Sequence, residues 1–212
     1  MTKKVFWIDP YLTQLETNVR WADGNTITVN ETIFYAFSGG QESDHGSIGG
    51  YSVLVAKKEG KEILYTLPEN HNLQIGQKVN MIIDWPRRYS LMRLHFAAEL
   101  VLELVCRQFP GINKIGAHIA QEKARIDFQI DEPISPHLPL LQKKAQTIID
   151  SNQKIISAFS DELNELRYWK INELSQVPCG GTHIKSTAEI GKINLKRVNP
   201  GKGKERIEIY VS

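Results

Sequence analysis

His95 and Glu99 stand four residues apart in a stretch whose apolar residues recur at helical spacing. On a helix, side chains at i and i+4 leave the same face with Cβ atoms about 5–6 Å apart, so the two can share one ligand. Far along the chain, Cys179-Gly180-Gly181-Thr182-His183 sets a thiol and an imidazole four apart across two glycines, which let the backbone fold tightly enough for both to converge. Taken singly, each pair has an ordinary explanation, a helix-surface pair or a tight turn. Together they make a candidate zinc site of three or four nitrogen, sulfur and oxygen ligands.

The elements that must position these residues are legible as patterns. Leu91, Leu94, Ala98, Val101, Leu102 and Val105 predict an amphipathic helix carrying His95 and Glu99, ended by Phe109-Pro110-Gly111. Alternation over 124–130 predicts a strand, and Pro136 opens a second helix expected to run about six turns through Leu141, Ala145, Ile148, Ile149, Asn152 and Ile156. Residues 166–171, 189–198 and, after an Asn199-Pro200-Gly201 turn, 206–211 read as further strands. Ahead of all these, residues 5–84 read as short strands joined by turns: Asp23-Gly24-Asn25 precedes 26–29, and Glu59-Gly60 separates 51–56 from 63–67. Such hairpins suggest a small β-barrel or sandwich. Trp85-Pro86-Arg87-Arg88 stops the strand 78–84 and sets the expected domain boundary.

With 212 residues, 41% hydrophobic and 24% charged, the chain can bury a sizeable core, which excludes disorder. The 26 basic residues against 24 acidic ones give a net charge of +2, so nucleic-acid binding must come from local patches. Two cysteines are too few for a disulfide framework; Cys106, in an apolar run, reads as a small buried hydrophobe. The basic start meets Asp9 and Pro10 before any apolar segment, and no stretch approaches the roughly 18 apolar residues of a membrane span, so a cytoplasmic protein is expected. Without a Gly-x4-Gly-Lys-Ser/Thr loop, no nucleotide cofactor is implied.

Three segments carry a resemblance. The run Arg87-Arg88-Tyr89-Ser90-Leu91-Met92-Arg93-Leu94-His95-Phe96-Ala97-Ala98-Glu99 resembles the helix motif of the alanyl-tRNA editing family, usually Arg-Leu-His-Thr-Ala-x-His. Residues 178–191, Pro-Cys-Gly-Gly-Thr-His-Ile-Lys-Ser-Thr-Ala-Glu-Ile-Gly, are similar to its second motif almost residue for residue, and 34–46 is similar to its Gly-Gly-Gln loop, Gly39-Gly40-Gln41, with Ser38 where a third glycine is usual. The family is related to the editing (second additional) domain of alanyl- and threonyl-tRNA synthetases. The resemblance implies an α+β chain: a small antiparallel N-terminal β-barrel with the Gly-Gly-Gln loop over 1–86, then an editing domain of helices packed on an antiparallel sheet over 87–212. It also implies a Zn²⁺-dependent deacylase that hydrolyses the ester of mischarged aminoacyl-tRNA in trans, seryl- or glycyl-tRNA(Ala) first.

Carried over by residue, the resemblance makes His95, Cys179 and His183 zinc ligands. Glu99 stands where the family has a second histidine, either as a fourth ligand or as the general base. The backbone of Gly180 and Gly181 would face a developing oxyanion, while Phe96, Thr182, Gly39, Gly40 and Gln41 would meet the substrate. Phe96 replaces the threonine that would bond a serine hydroxyl, so it either packs the core or reshapes the pocket, and preference for serine is open. The departures at 96 and 99 motivate a second reading, a tRNA-binding relative with altered or lost catalysis. His118, His137 and Asp127 are lesser candidates, and the basic residues Lys185, Lys192, Lys196, Arg197, Lys202, Lys204 and Arg206 would suit an RNA backbone. Oligomeric state is left open.

Overall fold

The computed structural model describes residues 1–212, a mixed α and β structure with few helices and a curled antiparallel sheet. By its contacts the chain divides into two units, Met1–Ser38 with Glu42–Tyr89, and Gly39–Gln41 with Ser90–Ser212. No helix is long and apolar enough to cross a membrane.

The first unit holds β1 (Lys3–Lys4), β2 (Gln14–Asp23), β3 (Thr26–Val29), β4 (Glu31–Thr32), β5 (Gly46–Ile48), β6 (Tyr51–Ser52), β7 (Val55–Glu59), β8 (Glu62–Thr66) and β9 (Lys78–Ile83). Apart from the short parallel pair β1–β4, these form one sheet in the order β6-β5-β9-β2-β3-β8-β7. Only two residues separate β6 from β7, yet they sit at opposite edges of that order. The sheet must therefore curl into a half-barrel, as the right-handed twist of strands favours. Val53 N–H donates to Gly46 O (2.9 Å) beside one edge, and Leu54 N–H donates to Thr66 O (2.8 Å) beside the other. The single strand expected over 51–56 is thus broken in two. Ile27, Phe34, Tyr65 and Met81 fill the concave side, with Phe34 edge-on to Tyr65 at 5.8 Å.

Arg87 and Arg88 open a long helix and serve this unit. Arg87 Nε donates to Ser43 O (3.1 Å) and Nη2 to Glu42 Oε2 (2.7 Å). Arg88, fully buried, binds both oxygens of Asp44 and donates to Pro10 O (3.0 Å), so its charge is neutralised where it is desolvated. Together they clamp residues 42–44, directly after the Gly-Gly-Gln sequence.

That helix is α1 (Trp85–Gln108); beyond it come β10 (Asn113–Ile119), β11 (Ala124–Gln129), α2 (Leu138–Asp150), β12 (Ile156–Asp161), β13 (Leu166–Ile171), β14 (Ser175–Pro178), β15 (Ile193–Gly201) and β16 (Lys204–Val211). Two antiparallel sheets result, β10-β11-β16-β15 and β12-β13-β14. Inward residues Ala124, Ile126 and Phe128 of β11 and Ile207 and Ile209 of β16 are buried, and α2 closes one edge: Gln142 and Gln146, four apart, accept the N–H groups of Leu195 (2.8 Å) and Ile193 (3.0 Å).

Several expectations fail here for local reasons. The second helix stops at Asp150, well short of six turns, because Asn152 takes a left-handed conformation (φ 52°) and Ile156 enters β12. Residues 187–190 form a 3-10 turn capped reciprocally by Ser186 and Glu189, so the strand expected from 189 begins only at Ile193. Pairing runs through Asn199-Pro200-Gly201 with a register shift, and the chain reverses at Lys202-Gly203, where Gly203 has φ 71°. Cys106 is exposed, not buried.

Candidate metal centre

Helix α1 carries His95 in a stretch packed all round, where Leu91, Leu94, Phe96, Ala97, Ala98 and Leu100 are all buried. From 84 residues further on, the 179–183 turn meets it: His95 Nε2 lies 3.2 Å from Cys179 Sγ, and His183 Nε2 lies 3.3 Å from the same sulfur. One ligand atom from each of the three residues falls within 4.8 Å of the others. Cys179 N–H donates to Arg167 O (2.9 Å), which fixes the start of the turn on β13.

Gly181 is required by His95. A Cβ at 181 would lie 2.6 Å from His95 Nε2 and 3.0 Å from Nδ1, so no side chain fits beneath the ring. Gly180 has nothing within 4 Å of such an atom. The Gly181 N–H, one of the groups expected to face an oxyanion, is turned to the Cys179 sulfur, whose thiolate form it favours.

The electrostatics suit ligation. Burial holds both imidazoles below their usual pKa, His183 the more so because His95 and Arg167 are close, and neutral rings keep a lone pair for a metal. Burial, with Glu99 beside it, pushes the Cys179 thiol up to about 12, although Gly181, Arg167 and Lys114 act the other way. A cation must therefore displace that proton. The donors fit zinc: a thiolate and two neutral imidazoles are ligands of the right softness, and the 3.2 and 3.3 Å sulfur–nitrogen separations approach the roughly 3.5 Å edge expected of tetrahedral zinc with these ligands. His183 Nδ1 meets Ser157 Oγ at 2.8 Å, which orients the ring with Nε2 toward the centre.

Glu99 is held beside the trio. Trp169 Nε1–H donates to its Oε2 (2.9 Å), while Oε1 lies 3.8 Å from His95 Nε2. Phe96 is fully buried, edge-on to Trp169 at 5.2 Å and to His183 at 5.7 Å. Gln41, also fully buried, reaches the turn: its Nε2 donates to Thr182 Oγ1 (2.9 Å) and its Oε1 accepts from Thr182 N–H (3.3 Å). Gly40 (φ 86°) is the hinge of that approach, since a Cβ there would lie 2.5 Å from Ala117 O. Gly39 (φ 60°) has open space around it.

Over 227 aligned residues the chain is 34% identical to an alanyl-tRNA editing protein, AlaX-M, of Pyrococcus horikoshii, with 100% of this chain and 98% of the relative covered. An AlaX-M of Saccharolobus solfataricus is 32% identical, with 98% of each covered. The chain belongs to the alanyl-tRNA editing family. Residues 166–208 also match the family described as threonyl and alanyl tRNA synthetase second additional domain. An alanine–tRNA ligase of Ignicoccus hospitalis is 31% identical over 92% of this chain, which spans 24% of the ligase.

Against this family frame, His95, Glu99, Cys179 and His183 come together with Phe96, Thr182 and Gln41 nearby. His118 and His137 do not join them: His137 packs edge-on to Phe109 at 4.8 Å, and His118 lies on β10 opposite Arg125. Asp127 is no mere outward polar residue, for it accepts from Arg206 Nε (2.6 Å) and Nη2 (3.0 Å) and pairs with Arg125. Arg206 is thereby engaged within the protein, and so is Arg197, which forks onto Glu205 (2.6 and 2.5 Å). Ser157, Arg167 and Trp169 were invisible as site residues from sequence, because a lone serine, arginine or tryptophan on a strand carries no spacing signal.

Proposed function

We propose that this protein hydrolyses the ester that joins a wrong amino acid to alanine-specific tRNA, with serine or glycine as the first candidates, and that it does so in trans in the cytoplasm. The observation that carries the reading is the convergence of His95, Cys179 and His183 on one small volume in a chain of the alanyl-tRNA editing family. Matching AlaX-M relatives over nearly their whole length, rather than a quarter of it as with the ligase, supports action as a separate protein.

In this proposal the half-barrel residues form an N-terminal barrel domain over 1–86 and the editing domain spans 87–212. His95, Cys179 and His183 hold zinc, which when bound supplies Lewis-acid polarisation of the ester carbonyl or of a water. Glu99, tethered by Trp169, either completes the shell through Oε1 or takes the proton of the attacking water. With the Gly181 N–H turned to the Cys179 sulfur, the Gly180 N–H is the backbone group of this segment assigned to the developing oxyanion. Gln41 holds Thr182 in place, and the Gly39-Gly40 backbone, exposed at Gly39, approaches the acceptor end by shape rather than base reading.

The experiment is release of amino acid from a panel of mischarged tRNAs by the purified protein, with metal content measured alongside. Hydrolysis of seryl- or glycyl-tRNA(Ala), lost together with zinc in Cys179→Ser, is the expected result. Retained tRNA binding without release from any aminoacyl-tRNA would replace this proposal with that of a binding relative.

A further inference from the structure

Arg167 breaks the pattern of its strand. On β13 the inward residues are Arg167, Trp169 and Ile171, all buried, so a guanidinium sits where alternation calls for an apolar side chain. Taking such a charge out of water costs several kcal/mol unless its surroundings compensate, and burial holds its pKa down to about 10. What surrounds it is the metal turn. Nη1 donates to Gly181 O (3.3 Å), the Phe159 ring lies 5.2 Å from Cζ, and the residue's own carbonyl accepts the Cys179 N–H. The guanidinium and the peptide of one residue thus grip the two ends of Cys179-Gly180-Gly181.

Charge gives this grip a consequence. A shell of three histidines and one cysteine around Zn²⁺ carries a net +1, and Glu99 in place of one histidine brings it to zero when counted with the metal. Weaker Lewis acidity follows, unless a positive charge stands close by in a medium of low dielectric. Arg167 is such a charge, fixed and shielded from solvent. Lys114 also reaches Cys179 with its field, but it is exposed, and water screens it.

We propose that Arg167 is a positioning residue of the editing reaction, clamping the Cys179–Gly181 turn and supplying beside the metal the unit of positive charge that Glu99 removes. This rests on the deacylase reading above. Its signature is a pair of effects with opposite sign. A cation next to a dication opposes metal binding while it strengthens polarisation of what the metal holds, so loss of the charge should leave zinc bound as tightly or more tightly and yet slow the reaction. A residue that only supported the turn would lose both together.

The test uses the full chain with Arg167→Gln, which keeps a donor for Gly181 O, and Arg167→Lys, which keeps the charge. Zinc affinity is measured by chelator competition, kcat and KM on mischarged tRNA, and folding by thermal unfolding. Expected for Arg167→Gln are zinc affinity equal to or above that of the parent, unchanged KM and kcat lowered about 10- to 100-fold, with Arg167→Lys close to the parent. In the cobalt(II)-substituted protein, the thiolate-to-cobalt absorption should move to longer wavelength in Arg167→Gln alone, since the sulfur electrons lose a stabilising cation. Zinc affinity and kcat falling together in both variants, or an unmoved cobalt band with kcat intact in Arg167→Gln, would overturn the proposal. If the parent hydrolyses no aminoacyl-tRNA, the deacylase reading fails, while zinc affinity and the cobalt band still report whether Arg167 acts on the metal by its charge.

Discussion

The backbone of Gly181 passes beneath the His95 imidazole so closely that a Cβ at 181 would lie 2.6 Å from Nε2. His95 cannot yield, because α1 is packed on several faces and the ring is itself buried. Gly181→Ala should therefore drive the ring off the centre and lower bound zinc at least as far as Cys179→Ser does. Gly180→Ala, with nothing within 4 Å of the new methyl, is the internal control. Equal zinc content in the two alanine variants by mass spectrometry would show that the close approach is not needed.

Asp127 should carry an acid-labile share of stability. Burial alone would raise its pKa, but the hydrogen bond from Arg206 and the charges of Arg125 and Arg206 outweigh this and hold the carboxyl below its usual range. A folded-state pKa below the unfolded one means stability that is fully present above the unfolded value, about 3.9, and lost as pH falls through the folded one. Asp127→Asn should cost about 1–2 kcal/mol at pH 7 in chemical denaturation, with the deficit shrinking below about pH 3. A deficit independent of pH would mean that packing, not charge, is what the substitution removes.

How much of this was legible beforehand divides by the range of the interaction. His95, Glu99, Cys179 and His183 were recognisable because i,i+4 spacing and a Gly-Gly turn are local signals, as were the hairpin at Asp23-Gly24-Asn25 and the end of α1 before Pro110. The overlong second helix was a wrong inference from local data: apolar spacing continued through Ile156, while the left-handed Asn152 that ends the helix looks like any other polar residue. Residues 189 and 190 were misread as the start of a strand although Ser186-x-x-Glu189 carried the capping signature. Arg167 and Trp169 were out of reach, since what makes them matter is the strand pairing that sets β13 beside the 179–181 turn.

On the C-terminal hairpin the structure narrows which cations can meet RNA. Arg197 and Arg206 are engaged by Glu205 and Asp127, whereas Lys202 and Lys204 are exposed at the reversal. If both contact phosphates, the slope of log affinity against log salt should flatten by about 1–2 in Lys202→Glu with Lys204→Glu. A slope unchanged from the parent removes this hairpin from the tRNA path.

Phe96 packs against the residues around the metal centre, and its two roles, in packing and in specificity, can be measured apart. Its ring is fully buried between Trp169 and His183. Phe96→Thr should lower stability by about 3 kcal/mol through the cavity it leaves, and gain on seryl-tRNA only to the extent that the new hydroxyl reaches substrate. Loss of stability without any change in the ratio of seryl- to glycyl-tRNA hydrolysis would assign Phe96 to the core.

Glu99 can be assigned by the sign of a rate change. Its Oε2 accepts from Trp169, which fixes Oε1 3.8 Å from His95 Nε2, close enough to join the metal or to hold a water beside it. As a ligand, Glu99 lowers the charge of the shell by one unit, so Glu99→His should return that unit and raise kcat for every substrate, while Glu99→Gln should loosen zinc. As the general base, it leaves zinc affinity alone in both variants, and both should lose rate because neither replaces the carboxylate held by Trp169. Zinc affinity by chelator competition and kcat on one mischarged tRNA separate the two roles. A pair of variants with unchanged affinity and unchanged kcat would remove Glu99 from the reaction altogether.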